Sequence, residues 1–409
     1  MSARTSRPVA TFVSYRAATP NGDGGNHRTY QILRDLQAEF GCDGVVHVAL
    51  EEWATRRESW RDTTPSAIGR LQSLPRRLRQ RVERMTENPY NLLTRHGWSR
   101  HSEFGTRGVL PRQFCDRYVD RVLRRGATIS LVDHPLFDQI RDLNLRAAVP
   151  TIIASHNLES LDVARVPFAS RVATQRSGVD FANELWSLSR FEGRLAISRI
   201  EAAVLNGVGL SCQFYPYLPT GDVRAQLLRS ANERRRSEQD PNLFLLMGTS
   251  FHAPTRRSMQ WFVAHAAKGG LPRKARVVLV GSHVEELAAP GCGIPGLEVR
   301  GRVSNAELGE LLVRAGTALV PQRLGFGALT RIPELACAGV PSLVFPHASY
   351  ALEPPPGAQV LGDDSWASLV GGMCRAMGSP VTIEAEAYSE WEARQERPLG
   401  QTLRRIMDG

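Results

Sequence analysis

Lysine is almost missing from this chain. Only Lys268 and Lys274 occur in 409 residues, so arginine supplies nearly all of the positive charge. No apolar run reaches the ~18 residues of a membrane-spanning helix. The N-terminal stretch MSARTSRPVATFVSY starts basic, but its apolar run is short and has no cleavage site, so it reads as a first strand rather than a signal peptide. The cysteines, Cys42, Cys115, Cys212, Cys292, Cys337 and Cys374, form no C-x-x-C pair and no metal-ligand spacing. That excludes a disulfide framework and a structural zinc site, and it fits a reduced, cytoplasmic protein. Internal repeats of 20 to 50 residues and long low-complexity tracts are absent too, which excludes a solenoid.

What remains is an ordinary globular composition, 42% hydrophobic and 22% charged, with length enough for two or three domains. The charge is uneven. Residues 55 to 125 hold 17 arginines against 7 acidic residues, which accounts for the whole net charge of +10. An arginine-for-lysine bias can follow genome composition; a local excess cannot. Such a stretch suits an anionic membrane face, an acidic substrate or nucleic acid, or it is a solvated helical surface. Trp60, Tyr90, Trp98 and Tyr118 would give it apolar anchors.

Strands and helices alternate along the chain. VATFVSY (9 to 15), GVVHVAL (44 to 50), ATISLVDH (127 to 134) and PTIIASH (150 to 156) read as strands, the last two both ending in His. A glycine-rich loop, RAATPNGDGGNHR, separates the first strand from a helix over TYQILRDLQAEF that stops at Gly41. Residues 51 to 125 break the rhythm and read as an arginine-rich helical insertion. Around 212 to 242 the pattern dissolves, marking a domain junction. A second series then begins with NLFLLMG (242 to 248) and RVVLVGS (276 to 282). This alternation predicts two doubly wound α/β domains, with ligands at the C-terminal ends of the strands in the cleft between them.

The stretch RLGFGALTRIPELACAGVPSLVF (323 to 345) carries the most chemistry. Gly325-Phe326-Gly327 breaks the strand TALVP; Leu329, Ile332, Leu335 and Ala336 then recur at helical spacing, Gly339 stops the helix, and Pro341 opens the next strand. A glycine loop at a helix N-terminus offers free amides and a positive dipole end, and lets a ligand approach the main chain. Arg331 and Glu334, three apart, share one helix face. A cation for a phosphate beside a carboxylate for a pair of hydroxyls suits a sugar joined to a phosphate. The plainer reading is a βαβ connection whose glycines only make the turn.

With its surroundings, LEVRGRVSNAELGELLVRAGTALVPQRLGFGALTRIPELACAGVP resembles the C-terminal domain of the retaining, family-4-like GT-B nucleotide-sugar glycosyltransferases. Gly301, Leu308, Ala315, Pro321, Gly325, Gly327, Glu334, Gly339 and Pro341 fall in register, and Arg331 stands where the family often has Lys. The first half is similar more loosely, through TPNGDGGNHR, SLVDHPLF and IIASHNLE, and AEAYSEWEARQ resembles the terminal helix that crosses back to the first domain. Two departures stand out. Phe326 occupies the place of a glutamate that holds the donor sugar, and the cations usually found after the first C-terminal strand are out of register, with Arg256 and Arg257 nearest.

The resemblance implies a GT-B architecture of two Rossmann-like domains. Residues 1–215 would bind the acceptor, with the insertion at 51–125. Residues 216–240 would be a linker, 241–380 would bind the nucleotide sugar, and 381–409 would return to the first domain. It implies transfer of a sugar from a nucleoside diphosphate sugar to an acceptor hydroxyl, retaining and metal-independent, since no D-x-D lies on a convincing loop. No cofactor beyond the donor substrate is expected. His134, with His156 next, would stand nearest the reaction. Gly24, Gly25, Arg256, Arg257, Gly325, Phe326, Gly327, Arg331 and Glu334 would hold the donor. The acceptor would be a glycan, a lipid-linked saccharide or a natural product, with the protein in the cytoplasm or peripheral on the inner membrane face; nucleic acid is not expected. The rivals are a nucleotide-sugar epimerase or sugar phosphorylase on the same fold, and a degenerate domain that binds a partner through the basic insertion.

Overall fold

The computed structural model describes residues 9–50, 112–164, 181–250, 252–287, 293–379, 381, 383–384 and 386–408. Most of the arginine-rich insertion, with Trp60, Tyr90 and Trp98, lies outside the described residues.

Two parallel sheets form, each of six strands. The first contains β1 (Val9–Ser14), β2 (Val45–Ala49), β3 (Ala127–Val132), β4 (Thr151–Ser155), β5 (Gly193–Ala196) and β6 (Gln213–Phe214), in the order β2-β1-β3-β4-β5-β6. The second contains β7 (Asp240–Met247), β8 (Arg276–Val280), β9 (Leu297–Gly301), β10 (Ala315–Val320), β11 (Ser342–Val344) and β12 (Ala358–Val360), in the order β12-β11-β10-β7-β8-β9. The chain reverses its direction across the first sheet between β1 and β3, and across the second between β7 and β10. At such a switch point the connections leave to opposite faces and open a crevice beyond the strand ends. The two doubly wound domains expected of the sequence are therefore both present.

Burial on both faces explains the near-continuous apolar strands. In β1, Phe12 faces a cluster with Ile32, Leu36, Leu131 and Ile152, whereas its neighbour Val13 faces the opposite cluster with Val132, Ile153, Leu188 and Phe191. The period of two along a strand sends adjacent side chains to opposite sides. In the second domain Leu246 and Leu279 join Met259, Phe262, Leu369 and Met373 on one face, while Leu245 and Val278 join Leu311, Leu312 and Leu335 on the other.

Helix α1 spans Gly24–Phe40, so it begins five residues before the apolar periodicity would place it. The reason is local. The Asp23 carboxylate accepts from the amides of Gly25 and Asn26, and Asn26 returns a bond to the Asp23 amide, a reciprocal cap that extends the helix back through both glycines. Helix α2 (Arg112–Arg121) is the described end of the insertion. It corrects one expectation: Tyr118 is no exposed anchor but is buried, its hydroxyl donating to Asn144 Oδ1 at 2.7 Å.

Helices α3 (Asp138–Arg146), α4 (Glu159–Ala164) and α5 (Arg199–Gly207) complete the first domain, with a further helical stretch over 181–189. In the segment where the sequence pattern dissolves, the buried Arg28 guanidinium holds the carbonyls of Tyr215 and Pro216 and lies 4.1 Å over the Tyr215 ring. Helix α6 (Gly221–Arg236) follows. The second domain adds α7 (Ala253–Gly269), α8 (Asn305–Arg314), α9 (Arg331–Cys337), the short α10 (Pro346–Ser349) and α11 (Trp366–Gly378). After α12 (Ala387–Ala393), α13 (Leu399–Asp408) buries Leu399 and Leu403 among the Phe12, Ile32 and Leu195 cluster of the first sheet. Among the described residues no helix is long and apolar enough to cross a membrane.

Candidate active site

The strand ends at the two switch points face each other. From the first sheet come the turn after β1 and the residues after β3, Asp133 and His134, with His156 beside them after β4. From the second come Gly248 after β7 and the loop 321–330 after β10, which leads into α9.

Contacts between these loops close the cleft. A Cβ at Gly24 would lie 2.1 Å from Thr330 Oγ1, so the start of α1 abuts the residue before α9. Gly327, at φ +81°, also makes a close approach: a Cβ there would lie 2.9 Å from the Asn157 Cβ and 3.0 Å from the His156 carbonyl. Only glycine combines that backbone angle with that approach. Asn305 Nδ2 donates to Asn21 Oδ1 at 3.0 Å, and His27 Nδ1 meets Glu334 Oε1 at 2.7 Å.

Asp133 anchors the first-domain side. It is 1% exposed; its Oδ1 accepts from the Tyr15 amide at 2.9 Å, and its Oδ2 lies 3.3 Å from both Thr29 Oγ1 and His156 Nε2. His134 points its Nε2 toward Glu159 Oε1 at 3.6 Å. Burial works to lower the His134 pKa, but Glu159, then Asp133 and Glu184, outweigh it, so this imidazole titrates above its ordinary value. Behind it, burial pushes the Glu184 carboxyl up to about 7, although it accepts from the Ser160 hydroxyl and from the amides of Ser160 and Glu159.

On the second-domain side, Arg331 Nη2 donates to Gln322 Oε1 at 2.9 Å, and its Nη1 would lie 3.6 Å from a Cβ on Gly248. Its buried Nε has no protein partner. Burial lowers its pKa to about 10, which leaves the guanidinium charged at neutral pH. A partly desolvated cation at the second switch point, with one N–H unsatisfied, is suited to an anion. His347 Nε2 donates to the carbonyl of Gly325, which has φ +104°, at 2.8 Å.

Several expected residues are placed differently. The Gly25 amide is already bonded to Asp23, whose carboxylate is paired with Arg16 at 2.9 Å; that amide is not free for a phosphate. The Phe326 ring packs against the apolar cluster of the first domain, so only its backbone remains for a ligand on the other side of the loop. Arg256 is exposed and Arg257 half-buried on α7, and no ion pair among the described residues brings either to the glycine loop. Gly24, Gly327, His156 and Glu334 take part in the contacts that join the two sets of loops, while His134 stands after β3 and Gly325 and Arg331 stand between β10 and the first turn of α9. Sequence reading passed over Asp133, His27, Tyr217 and Gln322. Asp133 sits in the quoted SLVDHPLF and His27 in TPNGDGGNHR, but neither spacing says which partner across the fold each one meets.

No family model matches the chain, and no curated protein is similar to it in sequence. Among solved structures it is similar to sucrose-phosphate synthase from Thermosynechococcus elongatus, at 16% identity and a TM-score of 0.56 over 98% of this chain and 96% of that one. It is also similar to HepE of Anabaena, solved with UDP and glucose, at 12% identity and a TM-score of 0.55 over 98% and 99% of the two chains. HepE solved with UDP-glucose matches at 10% identity and a TM-score of 0.54 over 98% and 100%. The fold of this chain is thus the two-domain GT-B fold.

Proposed function

We propose that this chain is a glycosyltransferase that moves a sugar from a nucleoside diphosphate sugar to an acceptor hydroxyl, with retention and without a metal. The observation that carries the reading is the placement of Arg331 and Glu334 together under the glycine loop of one switch point, facing the Asp133, His134 and His156 strand ends of the other. HepE, which shares the fold, has been crystallised with UDP and with UDP-glucose.

As the anomeric C–O bond breaks, its electron pair passes to the diphosphate, and a preorganised cation stabilises the charge where it develops. Arg331 is that cation, assisted by the loop amides around Gly325 and Gly327. Glu334 accepts hydrogen bonds from the nucleotide ribose. His134 and His156 border the place where the acceptor hydroxyl approaches C1, there to orient it and to hold or pass its proton. The acceptor is a glycan, a lipid-linked saccharide or a natural product.

Isothermal titration with UDP and UDP-glucose, in buffer containing a chelator, tests the donor reading. A nucleotide held at 100 times its Kd also raises stability by about 2.7 kcal/mol. Absence of binding by any common nucleoside diphosphate overturns the proposal. Incubating donor alone, then adding phosphate or a saccharide acceptor, separates transfer from epimerisation and phosphorolysis.

A further inference from the structure

One oxygen of Glu334 is held entirely from outside the second domain. Oε1 accepts from His27 Nδ1, in the first turn of α1, and from the Tyr217 hydroxyl, in the segment after β6, each at 2.7 Å. Among the described residues both hydrogen bonds to this side chain end on that same oxygen. All three groups are largely buried: the His27 and Glu334 side chains are 16% and 14% exposed, and Tyr217 is 2% exposed. A carboxylate has about four acceptor positions on its two oxygens. Here two are taken on one oxygen and the other oxygen is left to a ligand.

A carboxylate oxygen only accepts, so in the pair with Glu334 the His27 imidazole is the donor, through Nδ1.

We propose that His27 and Tyr217 are positioning residues for the donor, clamping Glu334 Oε1 so that Oε2 is presented to the ribose hydroxyls. This rests on the reading of Glu334 as the ribose-binding carboxylate. Because neither clamp belongs to the second domain, the ribose is read only when the cleft is closed, and donor recognition is tied to domain closure. The charged groups around the clamp are Glu334 and Asp23, the latter neutralised by Arg16, with Arg331 on the far side of Glu334. Burial works against the charged imidazole, but Glu334 and then Asp23 raise its pKa above 6.5 overall. The charge assistance in the clamp is therefore full below pH 6.5 and fades as pH rises through the raised value, leaving the hydrogen bond of a neutral imidazole.

The test compares nucleoside diphosphates with their 2′,3′-dideoxy forms by titration calorimetry, using the uridine, adenosine, guanosine and thymidine series. The wild type should prefer the ribose form of its nucleotide by about ten- to a hundredfold at pH 6, and less at pH 9. His27→Phe should reduce that preference to a few-fold at both pH values while leaving dideoxy affinity within about threefold. His27→Gln, which keeps an N–H donor, should restore part of the preference but not its pH dependence, and Tyr217→Phe should lose part of it. If His27→Phe keeps the full preference while Glu334→Gln loses it, the clamp is wrong and the ribose reading stands. Equal loss of ribose and dideoxy forms in His27→Phe means a merely structural histidine and overturns the clamp. A full preference in Glu334→Gln, or no binding in any series, overturns the functional reading itself.

Discussion

Asp133 and His156 meet at the ends of neighbouring strands, with the carboxylate Oδ2 3.3 Å from the imidazole Nε2. The same carboxylate oxygen lies 3.3 Å from the Thr29 hydroxyl, so one buried charge fixes the ends of β3 and β4 against α1. Asp133→Asn keeps the volume and removes the charge. Turnover should fall by about 10²–10⁴, the range for a disturbed acid or base, with nucleotide affinity unchanged. An equal fall in nucleotide affinity, measured by calorimetry, would assign Asp133 to folding alone.

His134 stands on the next residue but belongs to a different pairing, with Glu159. His134→Ala should lower turnover by about 10²–10⁴ and leave nucleotide binding nearly intact. Full activity in that variant, with the loss seen only in His156→Ala, would move the chemistry to the end of β4.

Glu334→Ala should weaken nucleotide binding by about ten- to a hundredfold, the equivalent of roughly 1.5–3 kcal/mol for hydrogen bonds to a charged acceptor. The variant should fold but melt lower, because it leaves the buried Tyr217 hydroxyl and the His27 imidazole without their acceptor. Wild-type affinity in the variant contradicts the assignment.

Two glycines separate stability from closure. At Gly281 a Cβ would lie 1.5 Å from the Gly248 carbonyl oxygen, backbone against backbone between β7 and β8, so Gly281→Ala should prevent the second domain from folding. At Gly327 the clash is across the cleft, and the left-handed φ of +81° adds about 1–2 kcal/mol of strain. Gly327→Ala should fold, melt slightly lower and give a larger radius of gyration in solution scattering. An unchanged radius of gyration would show that the loops do not set closure.

Glu184 gives a pH signature. Burial raises its pKa to about 7, so the protonated form contributes stability that is full below pH 4.5 and lost as pH rises through about 7. Glu184→Gln removes the titration but leaves an acceptor for only one of the two amides, because the Glu159 N–H bonds to Oε1 and the Ser160 N–H to Oε2. It should be less stable than the wild type at pH 4, and the gap should shrink by up to roughly 3 kcal/mol as pH rises to 8. Parallel melting curves across that range would contradict the assignment.

The basic stretch at 55 to 125, with 17 arginines against 7 acidic residues, makes a prediction from composition alone. If it faces an anionic or lipid-linked acceptor, the protein should sediment with anionic vesicles at low salt and be released at moderate salt. Equal, negligible binding to neutral and anionic vesicles would leave a soluble acceptor.

The sequence by itself determined the alternation of strands and helices, because an apolar run of four to eight residues bounded by glycine or proline has few other uses. It determined the glycine loop and the Arg331–Glu334 face, because those are local: neighbours within one turn interact whatever the rest of the chain does. It did not show that α1 would reach back through Gly24 and Gly25, since that depended on Asp23 choosing the helix amides over a ligand. Tyr118 looked like a surface anchor because it sits among arginines, yet packing turned it inward to Asn144. The short strands β6 and β12 formed only because a neighbouring strand was there to pair with. Above all, the partners of Glu334 are 307 and 117 residues away in the chain. Hydrogen bonds over such separations exist only once two independently wound sheets are brought together with their strand ends facing, and only the tertiary structure decides which side chains then meet.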